Sequence, residues 1–118
     1  MSLNPTTYNI TVAQGATYDA TFTATDKTTN TPLNFTGYTG KMQVRQFKDT
    51  SEPAVLTLQS SSGITPLTND GKVSIVATAA QTGSIPAGTY YYDIELTSGT
   101  YVIRLVEGKF VVTPQVTS

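Results

Sequence analysis

Residues 88–113 contain two long runs of alternating apolar and polar residues on either side of Ser98-Gly99, and no other part of the chain constrains the fold as strongly. A period of two marks a strand with one buried face, and two such runs around a short glycine-containing link read as an antiparallel hairpin. With Ser98 and Gly99 as the central residues of a two-residue turn, Leu96 faces Tyr101, Ile94 faces Ile103, Tyr92 faces Leu105 and Asp93 faces Arg104. One face is then apolar and the other carries an opposed charge pair. The second run changes phase, since Tyr101, Ile103 and Leu105 are odd-numbered while Phe110 and Val112 are even. One extra residue at Glu107-Gly108, a β-bulge, reconciles them.

The 118 residues suit a single domain spanning 1–118 with extended tails at both ends. The formal charge of −1 provides no field to attract nucleic acid or an anionic membrane, so neither is expected as a partner. Without cysteine there are no disulfides, thiolate nucleophiles or sulfur-bound metals, and without histidine the common triads and zinc sites are closed as well. The opening Met1-Ser2-Leu3-Asn4-Pro5 lacks the basic and apolar parts of a signal peptide, and no apolar run reaches membrane-spanning length. The expectation is a protein made in a cytosol and not secreted.

Strands are expected at 8–12, where Tyr8, Ile10 and Val12 alternate with polar residues, and at 17–24, with Tyr18, Ala20, Phe22 and Ala24 on one face. Residues 26–34 read as a surface loop. In 41–47, Met42 and Val44 point inward while Lys41, Gln43 and Arg45 point out. After a turn at 49–53, residues 55–58 make an edge strand, and 64–67 with 72–77 form a second hairpin around Asn69-Asp70-Gly71. The only helix-compatible run is 77–84, one or two turns long. Gly88-Thr89-Tyr90 then sits where an immunoglobulin-like sandwich places a tyrosine corner, with Tyr90 as its residue.

Chemistry has few carriers. Asp93 and Glu95 share a strand face and are conceivable as an acid and a base, but such pairs beside Lys41, Arg45 and Arg104 are what a solvated sheet face ordinarily displays. No catalytic residue and no cofactor is assigned. No metal ligand set is assigned either, although Asp26 with backbone carbonyls could hold a calcium ion. No small-molecule substrate is expected. Of the three consecutive tyrosines, Tyr90 and Tyr92 go to the core and Tyr91 emerges with Val102 and Val106 beside Asp93 and Arg104. This patch reads either as a protein contact surface or as ordinary scattered exposure.

The order and spacing of several segments resemble small immunoglobulin-like structural proteins of tailed bacteriophages and prophages. The segments are Tyr8-Asn9-Ile10-Thr11, Gln14-Gly15-Ala16-Thr17-Tyr18, Leu33-Asn34-Phe35-Thr36-Gly37-Tyr38 running into Met42-Gln43-Val44-Arg45, Ala79-Ala80-Gln81-Thr82, Pro86-Ala87-Gly88-Thr89-Tyr90, Tyr92-Asp93-Ile94-Glu95-Leu96 and Arg104-Leu105-Val106-Glu107-Gly108. The family commonly has Asp-Leu before Thr-Gly-Tyr, where this chain has Asn34-Phe35. The resemblance implies an all-β, immunoglobulin-like antiparallel sandwich of seven to eight strands with one helical turn near 78–83. It also implies a non-enzymatic virion protein of the tail, baseplate or fibre. Its partners would be other virion proteins, with a homo-oligomer in the assembly as a further option, and the expected interface is Lys41, Arg45, Tyr91, Val102, Arg104 and Val106. A capsid decoration protein and a receptor- or glycan-binding adhesin stay open as alternatives.

Overall fold

A computed structural model describes residues 6–26, 31–32, 35–48, 53–60, 63–64 and 71–116. The strands are β1 (Thr6–Thr7), β2 (Ile10–Ala13), β3 (Tyr18–Thr23), β4 (Thr25–Asp26), β5 (Thr31–Pro32), β6 (Thr39–Arg45), β7 (Leu56–Ser60), β8 (Gly63–Ile64), β9 (Lys72–Ala77), β10 (Gly88–Ser98) and β11 (Tyr101–Thr113). One short helix, α1 (Ala79–Gly83), lies between β9 and β10. The all-β class and the helical turn are as the sequence predicts.

The layout is closer to a barrel than to two separate sheets. A single hydrogen-bonded path runs β1-β11-β10-β6-β7-β8-β9-β3, with β2 also on β11, and β4 and β5 form a small ladder of their own, Thr25 with Pro32 and Asp26 with Thr31, where the sequence reads as a loop over 26–34. β7 is not the edge strand that its short run suggests. It pairs with β6 along one side and with β8 at Gln59 and Ser60 on the other, which is how the sheet turns the corner into β9. The second hairpin is present to the extent that Ile64 pairs with Ile75, while residues 65–70, including Asn69-Asp70, lie outside the described set. The 49–52 part of the earlier turn lies outside it too.

Alternation places Met42, Val44, Leu58, Val73, Ile75, Ile94 and Leu96 inside the curved sheet, where none is more than 1% exposed. Burying side chains of this size contributes roughly 1.5–3 kcal/mol each. Phe35 and Phe110 fill the space between, each against a tyrosine edge, Tyr38 at 5.9 Å and Tyr92 at 6.3 Å between ring centroids.

The main hairpin differs from its predicted register. Ser98 pairs with Tyr101, so the turn is Gly99-Thr100, one residue later. Gly99 has φ 60°, the conformation that a primed turn demands of its first central residue and that Ser98 would adopt only at a cost. Leu96 therefore faces Ile103 and Glu95 faces Arg104. The bulge exists, but at Leu105-Val106 instead of Glu107-Gly108: beyond it Ile94 faces Val106, Asp93 faces Glu107 and Tyr92 faces Gly108. Both Leu105 and Val106 point inward, at 5% and 4% exposure.

Gly108 shows why the bulge comes early. Tyr92 lies opposite it, and with no side chain in the way the Tyr92 hydroxyl reaches past β11 to donate to the Tyr8 carbonyl at 2.6 Å. Tyr8 itself is half exposed and lies outside the strands, although the sequence places it on the inner face of the first one.

The tyrosine corner forms as expected, with Tyr90 Oη donating to the Pro86 carbonyl at 2.7 Å. Removing that hydroxyl in Tyr90→Phe should cost about 1 kcal/mol, seen as a melting-temperature drop of about 4–8 °C in a thermal scan. A Tyr90→Phe protein that melts with the parent would show the corner to be ornamental.

α1 is too short to be stable alone. Its capping box holds it, with Gln81 N donating to Thr78 Oγ1 at 3.2 Å and Thr78 N to Gln81 Oε1 at 2.8 Å.

Candidate functional site

β6, β10 and β11 lie side by side, and their outward residues form a grid set by strand register. Arg45, Tyr91 and Lys109 make the first row, Gln43, Asp93 and Glu107 the second, Lys41, Glu95 and Arg104 the third, and Thr39, Thr97 and Val102 the fourth. The twist of the sheet makes the first three rows, Lys41 excepted, the floor of an open groove of about 730 Å³, to which Phe47 and Lys48 add a wall beyond the end of β6.

Arg104 ties the floor together. Its guanidinium lies 3.1 Å from Glu95 and 3.4 Å from Asp93, so the predicted Asp93–Arg104 pair exists as a diagonal contact, and Glu95 is the direct cross-strand neighbour. Arg45 donates to Gln43 Oε1 at 3.1 Å, and the Lys48 ammonium sits 5.3 Å above the Tyr91 ring. Because Asp93 faces Glu107, like charges meet across the ladder, an arrangement that costs stability in a sheet.

Burial raises the Asp93 carboxyl above its ordinary range, and Glu95 and Glu107 push the same way, outweighing the opposing pull of Arg104 and Arg45. A carboxyl with a raised folded-state pKa binds its proton more tightly when folded. Its charged form therefore detracts from stability at neutral pH, and the loss is recovered as pH falls through the folded-state value toward the unfolded one. Asp93→Asn should be at least as stable as the parent at pH 7, with the gap closing in mild acid, when melting curves of the two are compared across pH. A variant clearly less stable at pH 7 would mean that the Arg104 contact dominates.

The structure brings Lys41, Arg45, Tyr91 and Arg104 onto one face and puts Val102, 55% exposed, at its far end near the hairpin tip. It does not bring Val106 there. The bulge turns that side chain into the core, so the expected apolar patch of Tyr91, Val102 and Val106 is not formed. Tyr91 and Val102 are six residues apart along the strand direction, about 20 Å. Glu107 and Lys109 take part instead; Lys109 is outward wherever the bulge falls, given Phe110 and Val112 inside, whereas Glu107 reaches the outer face because the bulge comes two residues earlier. Asp93 and Glu95 do share this face, each engaged with Arg104. Among the described residues no cluster of three or more acidic side chains is arranged to hold a metal ion, and the Asp26 side chain lies outside the described set.

No protein-family model matches the chain, and no curated protein sequence matches it. Among solved structures it is similar to an uncharacterised protein from Bacillus anthracis strain Ames, with 14% identity, a TM-score of 0.47, and coverage of 93% of this chain and 86% of that one. It is also similar to a family 123 glycoside hydrolase from Clostridium perfringens, with 12% identity and a TM-score of 0.42. That match covers 98% of this chain and only 24% of the hydrolase. With TM-scores this low, neither likeness extends a fold family or an activity to this chain.

Proposed function

We propose that this chain is a non-enzymatic structural module of a tailed-phage virion, associated with a tail, baseplate or fibre. Its outer β6-β10-β11 face, through Lys41, Arg45, Tyr91, Val102 and Arg104, docks a neighbouring virion subunit. The observation that carries the reading is where the residues of the sequence resemblance go. Gln14-Gly15-Ala16 and Ala79-Ala80-Gln81-Thr82, far apart in the chain, converge on one brace. Gln14 Nε2 donates to the Ile85 carbonyl at 2.9 Å, Gly15 N to Thr82 Oγ1 at 3.1 Å, and Thr82 Oγ1 to the Ala16 carbonyl at 2.8 Å. Signature residues that serve to brace a turn against a helix are those of a scaffold. The docking face has the interspersed charges that steer association and set register, with Tyr91 as an aromatic anchor.

Amine-reactive cross-linking and mass spectrometry of purified particles test this directly. The protein should be present in the virion, with Lys41, Lys48 or Lys109 linked to one neighbour, and Tyr91→Asp should weaken capture of that neighbour about tenfold or more. Its absence from particles would defeat the proposal. Immunogold labelling of the head instead of the tail would convert it to the decoration reading.

A further inference from the structure

The two ends of the sheet are treated differently. At one end the outer edge of β11 is covered by β1 and β2, both running parallel to it. At the other end β3 pairs with β9, and among the described residues nothing pairs with its second edge. The core-facing side chains of β3, Tyr18, Ala20 and Phe22, are only half-buried, whereas the core-facing Tyr92, Ile94 and Leu96 of β10 are at most 4% exposed. Tyr8, 50% exposed, lies edge-on against Phe22 with ring centroids 5.7 Å apart, so the apolar surface continues around this edge.

Natural sheets guard a free edge with lysine, proline, a bulge or a very short strand. β3 has none of these, and Asp19 is its one charged residue: it is six residues long, reads Tyr-Asp-Ala-Thr-Phe-Thr, and pairs with β9 without a register shift. Among the described residues it is an unpaired template for another strand.

We propose that β3 pairs antiparallel with β3 of a second copy of this chain, about a two-fold axis at Ala20. The sequence is self-complementary in that register. A dyad centred on a residue keeps core faces together, while one centred between residues puts the apolar face of each strand beside the polar face of the other. Centred on Asp19, it would oppose two carboxylates. Centred on Thr21, it would set Phe22 against Ala20 and carry Tyr18 beyond the strand to Ala24. Centred on Ala20, it sets Tyr18 opposite Phe22 of the second copy, twice by symmetry, and Asp19 opposite Thr21, with no like charges in line. Aromatic cross-strand pairs are among the favourable ones. The dimer joins two sheets edge to edge and covers the half-buried row of each.

Sedimentation velocity of the purified full chain over a range of concentrations tests the proposal, and it does so without reference to virions. A reversible monomer–dimer equilibrium is expected. Thr21→Lys alone places an ammonium opposite Asp19 of the other copy and should leave the dimer intact. Combining it with Asp19→Lys opposes two ammonium groups at both symmetry-related positions and should raise the dimer Kd by about tenfold or more. Both side chains are exposed, so circular dichroism should report the same fold for every variant. A monomer at every concentration, or a dimer indifferent to the double substitution, would overturn the proposal. A single Thr21→Lys change as disruptive as the pair would overturn the register.

Discussion

Thr82→Val should destabilise the protein by roughly 2–4 kcal/mol, although valine matches threonine in shape and the site is fully buried. The hydroxyl is the whole effect. Thr82 is the one buried polar side chain among the described residues, and its Oγ1 both accepts from Gly15 N and donates to the Ala16 carbonyl. With valine there, the backbone N–H of half-buried Gly15 and the carbonyl of Ala16 lose their partner at a part-buried site, and each such loss costs about 1–3 kcal/mol. Against a total stability of about 5–15 kcal/mol this is a large fraction, and the melting temperature should fall by about 10–15 °C. Thr82→Ser keeps the hydroxyl and gives up only a methyl group, so it should retain most of the stability. If urea titrations put the serine variant below the valine one, packing and not hydrogen bonding governs this brace.

Gly108→Ala should be comparably severe, at roughly 3 kcal/mol, for a steric reason. Gly108 does not have a left-handed φ, so alanine is allowed by its backbone torsions. The added Cβ, however, would overlap the Tyr8 carbonyl oxygen and lie 2.9 Å from its carbon. Backbone atoms cannot swing aside as a flexible side chain would. The chain at Tyr8 must move, and with it go the Tyr8 N–Glu107 O bond at 2.9 Å and the Tyr92 hydroxyl bond. Tyr92→Phe by itself should cost about 1 kcal/mol. Because both substitutions remove the same hydrogen bond, the double variant should cost less than the sum by about 0.5–1 kcal/mol in denaturant melts. Strict additivity would show that Gly108 acts without reference to Tyr92.

The hairpin and its surroundings show how far local pattern carries. Period-two alternation places Met42, Val44, Ile94 and Leu96 in the core and Lys41, Gln43 and Arg45 outside it, because a strand has only two faces and water selects between them. The phase change between Leu105 and Phe110 demands a bulge, and a bulge is there. Its position was not legible, since Leu105-Val106 and Glu107-Gly108 both restore the phase. The choice between them depends on Tyr92 and Tyr8, which meet across Gly108 from two other segments of the chain. That two-residue difference moved Val106 inward and brought Glu107 to the charged face beside Lys109, so part of the candidate site changed with it.

The amino-acid sequence alone was enough to determine an all-β chain, the strands that share a core, the short helix after β9 and the tyrosine corner at Tyr90. Each of these rests on residues close together in sequence and on the preference of apolar side chains for the interior. Tertiary structure alone decided that the sheet is one curved path, that β7 lies inside it, that Arg104 serves Asp93 and Glu95 together, and that among the described residues no strand takes the second edge of β3. These depend on which distant strands become neighbours. The backbone hydrogen bonds that join strands are nearly the same for every sequence, so neighbours are chosen by side-chain fit across the core and not by any local pattern.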